Sequence, residues 1–473
     1  MQRLFSKTLL FFFLFIPLIF ASTNAEDESS IQASGEAGHA GMILGADSFH
    51  NSNSNKKFFL TISPSLYLSF GKISMGFGLP LRISPDDWNL REEDFDEPLD
   101  YVNFIQFIQY AKKREPFYMR IGRLYNSQIG HGTVVYNYSN SLLFDQFYIG
   151  LENEINFEKG GFEFLSSKLF KEPIIGTRGN IRPFGFFLET PIISRIGFGV
   201  SYIVDTAAPY RILGPNYIPV TDEFCIVSNP TIAPQSDEDG NIQSENDELS
   251  ILGLDVEVPL FKNSFIDLVP YSDFNFITEE GNGIHYGFWT ALKFSENKHR
   301  IDFRFELRNF DRNYIPMYFN HYYEITKYDY LFGSRSMPIP KLLFLKNKQF
   351  LGDGDRIDGW FGRADYTLAK IMKLSAEYED YQGDNNSNVY LGAYVPALKI
   401  VRFGAYYYKI NFNDADEIFE YDDKSLFLGT AEVKLLPYTF FVAALTRVWE
   451  FDTDGGFSAQ DVISFGIKVE AVF

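Results

Sequence analysis

From about residue 36 onward the chain repeats one pattern: apolar residues at every second position, with small or charged residues between them. In "KISMGFGLPLRI" (72–83), Ile73, Met75, Phe77, Leu79 and Leu81 share one face, and Lys72, Ser74, Gly76, Gly78 and Arg82 share the other. "RIGFGVSYIVD" (195–205) sets Ile196, Phe198, Val200, Tyr202 and Val204 against Arg195, Gly197, Gly199, Ser201 and Asp205. "RIDFRFELRNF" (300–310) sets Ile301, Phe303, Phe305 and Leu307 against Asp302, Arg304, Glu306 and Arg308. The final "ISFGIKVEAVF" (463–473) keeps the same step up to an aromatic last residue, Phe473. A step of two is the period of a β-strand. Each segment is close to the ~9–11 residues that cross a hydrocarbon layer as a tilted strand. The chain is therefore all-β, and its apolar faces must meet a core, a second sheet or lipid.

The connections choose among these. Tight turns such as "GK", "KKRE", "EKG", "FKN", "SENK" and "LP" follow alternate strands, and a candidate strand at 179–189 is followed by "TPII". The intervening connections tend to be longer and more polar, above all 84–99, 126–144, 207–248 and 311–354. A meander with one short-turn end and one long-loop end is the signature of a transmembrane antiparallel up-and-down β-barrel. With both termini on the short-turn side the strand number is even. The segments give about 20 strands, or 18 if "GEAGHAGMILGADSF" (35–49) is not one. A soluble β-sandwich or solenoid is the competing fold, and it leaves the asymmetry of the turns unexplained.

The opening "MQRLFSKTLLFFFLFIPLIFASTNAED" fits a secretory leader, with Arg3 and Lys7 before a short apolar core and Thr23 and Ala25 at a small-residue cleavage site. The expected organisation is a cleaved signal peptide at 1–25, a short periplasmic segment at 26–35 and one barrel at 36–473. Beyond the leader no stretch approaches the ~20 apolar residues of a membrane helix. Cys225 is the single cysteine, so no internal disulfide forms. Aromatic residues make up 18% of the chain, mostly Phe and Tyr, as a structure with two lipid–water interfaces requires.

With its leader, its meander and its terminal "KVEAVF", the chain resembles bacterial outer-membrane β-barrel proteins of the porin type. That resemblance covers nearly all of the mature chain as architecture. It implies an integral outer-membrane location among lipid and lipopolysaccharide. It also implies delivery by the barrel-assembly machinery, for which Phe465, Ile467, Val469 and Phe473 would form the terminal signal.

The formal net charge of −20 becomes −22 once Arg3 and Lys7 leave, which argues against nucleic acid as a partner. Three stretches hold most of the acidity: 84–100 and 207–248 carry eight carboxylates against one arginine each, and 412–424 carries six against one lysine. They are solvated loops, or they concentrate cations at the outer mouth, or they bind divalent ions that bridge anionic lipid headgroups. The inward faces are of mixed sign. Arg120, Arg304, Glu306, Arg308, Lys373, Glu377, Glu379, Arg402, Glu432 and Lys434 fall opposite apolar neighbours and are the candidate pore-lining residues. Such charges either order water across a wet pore or simply brace its wall. A barrel this wide needs filling or a constriction. Loops 126–144 and 311–354 are the candidates, since few residues precede the first strand. Within the former, Gly130-His131-Gly132 reads as an ordinary loop turn.

Other motifs carry less. "DEDGNIQSENDE" places Asp237, Asp239, Asn241 and Glu248 at calcium-loop positions, but Ile242 stands where that loop needs glycine, so an acidic loop without metal is the preferred reading. No cofactor is expected. The six histidines are scattered, and within the candidate strands none has a Ser or Asp two residues away on the same face, so an enzyme is not expected. The expectation is a passive channel for small hydrophilic solutes or ions with a mild cation preference. The alternative is a non-conducting surface barrel whose acidic loops bind a partner, divalent ions or lipopolysaccharide. Oligomeric state and solute are not legible.

Overall fold

The computed structural model describes residues 38–50, 56–91, 94–95, 104–141, 148–212, 243–295, 298–330, 339–346, 356–369, 371–383, 386–396, 400–422, 424–452 and 456–472. The leader, Cys225 and Phe473 lie outside the described residues. The first ten strands are β1 (Gly38–His50), β2 (Lys56–Phe70), β3 (Ile73–Gly78, resuming at Leu81–Ile83), β4 (Ile105–Tyr110), β5 (Phe117–Gly122), β6 (Gly150–Phe157), β7 (Gly160–Ser166), β8 (Ile174–Ile181), β9 (Gly197–Ile212) and β10 (Ser244–Glu257, resuming at Phe261–Lys262). The second ten are β11 (Ile266–Ile277), β12 (Asn282–Phe294), β13 (His299–Asp311), β14 (Arg356–Leu368), β15 (Met372–Tyr381), β16 (Ser387–Val395), β17 (Val401–Phe412), β18 (Ser425–Leu436), β19 (Thr439–Asp452) and β20 (Gly456–Val472). The interruptions in β3 and β10 contain Pro80 and Pro259, residues with no N–H to give a ladder. Both halves of each strand pair with the same neighbour, so the sheet has 20 strands and the count of 18 is excluded.

Each strand runs antiparallel to the next in sequence, and β1 also pairs with β20 from His39↔Val472 to His50↔Asp461. The sheet is a closed ring. At the seam Gly45 faces Gly466, and a Cβ on Gly45 would come within 2.2 Å of the Phe465 carbonyl oxygen, so this crossing needs glycine.

Alternation fixes what each face meets. Met42, Leu44, Val200, Tyr202, Leu252, Leu307, Leu374, Phe441, Phe465, Ile467 and Val469 are exposed on the outer face all round the ring. Phe70, Phe157, Phe265, Phe294 and Tyr438 are exposed beside the tight turns, forming an aromatic girdle at the short-turn rim. The aromatic-rich composition is used here.

One expected element is displaced. Instead of a strand at 179–189, β8 ends at Ile181, and 182–196 forms a connection with 3₁₀ turns at Pro183–Phe186 and Ile193–Arg195. Pro183 and Pro191 withhold backbone donors, and "FGFFL" does not alternate. The acidic stretch 207–248 is also shorter as a loop than expected, because β9 continues to Ile212 and β10 begins at Ser244.

Replacing Leu252 by Arg at an outward mid-strand position should cost ~2–4 kcal/mol if it sits near the bilayer midplane. Urea titration of the protein folded into lipid vesicles measures this; Ser250→Arg, nearer the long-loop end, should cost less.

Candidate functional site

Two long connections turn into the lumen. The first, between β5 and β6, is held in a narrow hairpin by mutual backbone bonds of Ser127 and Tyr138 (3.0 and 2.9 Å), and Asn140 Oδ1 accepts the Leu124 N–H at 2.8 Å. Gly130 (φ +57°) and Gly132 (φ +78°) supply the left-handed backbone on either side of His131. The second, between β13 and β14, carries two short helices, α1 (Tyr323–Thr326) and α2 (Lys341–Lys346). The loops meet at a parallel bridge between Val135 and Phe319. There the N–H of Tyr136 donates to Phe319 O (3.0 Å), that of Phe319 to Val134 O (3.0 Å), and that of Met317 to Thr133 O (2.9 Å). A further link is Tyr138 Oη to Glu324 at 2.5 Å, and Glu324 also holds Lys327 at 2.6 Å. Around the junction Leu124, Val135, Tyr314, Phe319 and Leu342 pack against the inward residues Leu165, Ile203, Ile251, Ile277 and Ile357.

Charged wall residues grip the loops. Glu306, fully buried on β13, accepts from Arg304, from Arg308 Nε (2.8 Å) and from Tyr271 Oη (2.5 Å), with His285 Nδ1 at 3.5 Å. Arg308 also donates to Glu379 at 2.8 Å and to Tyr381. The Arg304 guanidinium lies 4.8 Å from the Tyr136 ring centre and 4.9 Å from that of Phe361. Tyr136 Oη donates to Glu377 at 2.8 Å and accepts from Arg363 at 3.0 Å. Across the ring, Arg120 donates to Gln109 (2.9 Å) and to Arg123 O (3.0 Å), its guanidinium 4.3 Å from the Phe107 ring centre.

A second group lies on β17–β20. Arg402 donates to both oxygens of Glu470 (2.7 and 2.9 Å) and to Glu432 (3.3 Å), which Lys468 meets at 2.7 Å. Lys373 lies nearer the short-turn end of β15, across from Thr367 and Tyr394. Lys434 is exposed, its Nζ 5.9 Å from the Phe440 ring centre. Of the residues expected to form a terminal signal, Phe465, Ile467 and Val469 are exposed on the outer face. Of the calcium-loop set, Glu248 is exposed in β10, while Asp237, Asp239 and Asn241 lie outside the described residues.

Two of the site residues that escaped the sequence reading stand out. His131 is no ordinary turn residue: its Nδ1 lies 2.7 Å from Asp273 on β11, its Nε2 3.5 Å from Glu257 on β10, and its ring stacks on Tyr271 at 4.1 Å and 11°. Arg178 reinforces this contact, donating to both oxygens of Asp255 (2.8 Å each) and to Glu163 (2.6 Å), and Glu163 accepts the Gly130 N–H at 2.8 Å. Burial works against charge on His131, but Asp273 and Glu257 outweigh it and raise its pKa to about 10. The bracketing glycines were the available signal. The other is Lys341, 1% exposed, which donates to Tyr318 O at 2.6 Å with Tyr318, Tyr330 and Tyr323 ring centres at 4.6, 5.3 and 5.7 Å. The rings favour the cation. Burial disfavours it more, lowering its pKa to about 7, while Glu379 acts weakly the other way.

No protein-family model matches the chain, and no curated protein sequence matches it. Among solved structures it is similar to OccK11 (OpdR) of Pseudomonas aeruginosa at 7% identity and a TM-score of 0.32, covering 93% of this chain and 97% of that one. It is similar to OccAB3 of Acinetobacter baumannii at 10% identity and a TM-score of 0.30, over 93% and 100% of the two chains. The outer-membrane protein OpdK of P. aeruginosa gives 8% identity and a TM-score of 0.31, over 92% and 99%. These similarities are remote, and the architecture rests on the closed sheet, its lipid-facing band and its aromatic rim. The chain is a closed, 20-strand antiparallel β-barrel with an exposed apolar band on its outer face.

His131 and Lys341 have opposite pH signatures. A raised histidine pKa favours docking fully below about 6.5, and that contribution fades as pH rises through about 10. Proteolysis near Gly130 should therefore accelerate between pH 8 and pH 10.5, and His131→Phe, which keeps the stack and removes the charge, should abolish that acceleration. A lowered lysine pKa penalises docking as pH falls from 10.5 towards 7. Lys341→Met should protect α2 from protease at pH 7, and the gain should shrink toward pH 10.5.

Proposed function

We propose that this barrel is a passive channel for small hydrophilic solutes or ions, narrowed inside the ring by the two joined loops. The observation that carries the reading is the Val135–Phe319 junction, which sets loops from separate sectors of the ring edge to edge within a wall of paired charges. In this reading Arg304, Glu306, Arg308, Glu377 and Glu379 fix the position of the constriction. Arg402, Glu432, Lys373 and Lys434 line the passage beyond it. Acidic outer segments, among them Asp414, Asp416, Glu417 and Glu420 between β17 and β18, give a mild cation preference at the mouth. The reading is of transport rather than catalysis. The described His131, His285 and His299 ring nitrogens meet Asp273, Glu257, Glu306, Tyr314 and Tyr366, which brace loops and wall.

A second reading, a closed surface barrel, is favoured by the fully buried apolar residues between the loops, such as Val135, Phe319 and Tyr323. Planar bilayers distinguish the two. The channel gives stepwise conductance, excision of 127–139 raises the step several-fold, and reversal potentials under a salt gradient show cation preference that fades as the Debye length falls below ~10 Å. A folded but silent barrel that opens only on excision would support the second reading.

A further inference from the structure

One sector of the inward wall differs from the rest. Through the middle of β16 and β17 the lumen-facing positions are tyrosines and glycines: Tyr390, Gly392 and Tyr394 on one strand, Gly404, Tyr406 and Tyr408 on the other. Tyr390 stacks on Tyr406 at 5.9 Å and 21°, and meets Tyr408 at 5.8 Å. Tyr408 in turn touches Tyr322 of the second infolded loop at 4.4 Å. A Cβ on Gly392 would lie 2.8 Å from Tyr390 Oη and 3.3 Å from Tyr406 Cδ1, so both rings lie over the glycine, along the wall. Tyr390, Tyr406 and Tyr408 each keep part of their surface exposed.

We propose that this sector is a binding track for neutral, polyhydroxylated ring solutes of the saccharide class. The proposal rests on the channel reading and names its solute class. A ring lying along the wall offers its electron-rich face, which attracts the polarised C–H face of a pyranose. The neighbouring charges are mutually committed. Arg363, 5.6 Å from the Tyr390 ring centre, donates to both oxygens of Asp365 (2.7 and 3.0 Å) and to Glu377 (3.1 Å). A charged solute would have to break these pairs, whereas hydroxyl groups can add to the remaining lone pairs without separating charge. Stacking surface beside neutralised polar groups suits a sugar better than an anion or a cation.

The test uses the full-length protein and two readouts: saturation-transfer NMR in detergent and ion current in planar bilayers. The probes are glucose, sucrose, the acyclic polyol sorbitol and benzoate. Glucose and sucrose should bind saturably and reduce the current, with sorbitol and benzoate at least tenfold weaker. Tyr390→Ala and Tyr406→Ala should weaken sugar binding at least tenfold, and Tyr390→Phe should largely retain it. Heat-modifiable gel mobility confirms that each variant is folded. The wild-type ranking alone remains decisive if the alanine variants fail to assemble. Saturable binding of benzoate above sugar, or a conducting barrel to which no sugar binds, overturns the track and leaves the channel standing. Sugar binding in a barrel that does not conduct upholds the track and overturns the channel.

Discussion

Lipid supplies no hydrogen bonds, and the rest of the structure follows from that. Each spanning strand must give its N–H and C=O groups to neighbours on both sides, so the ring has to close between β1 and β20. Closure forces the even meander and assigns one face of every strand to hydrocarbon. It also brings Gly45 and Gly466 so close that no side chain fits between them.

The inward face carries the opposite problem, a wide interior in which charged groups need partners. Arg304, Glu306 and Arg308 form one continuous network, and Arg402, Glu432, Lys468 and Glu470 form another. Buried ion pairs contribute little net stability, because desolvation offsets their attraction. Their use here is positional. Tyr136 and His131 each land on a wall site whose partners are already fixed, so the loops dock in one place.

Much of the fold could be read directly from the period of two. The outward sets around Val200, Leu307 and Phe465 lie where alternation put them, and the inward positions of Arg120, Glu306, Glu377 and Arg402 follow from the same step. Alternation assigns a face but gives no partner, so the contacts of Arg308 with Glu379 or of His131 with Asp273 were invisible: they join residues 71 and 142 positions apart. The expected strand at 179–189 fails after Ile181, and Pro183 with the non-alternating "FGFFL" behind it was the better guide.

The junction of Val135 with Phe319 has a mechanical consequence. One loop is rooted between β5 and β6, the other between β13 and β14, so their shared backbone bonds make a strut across the ring. If either loop withdrew, the amides of Tyr136, Met317 and Phe319 would lose their acceptors together, so the two behave as a single moving part. The strut ties two sectors of the closed ring to each other through backbone as well as side chains.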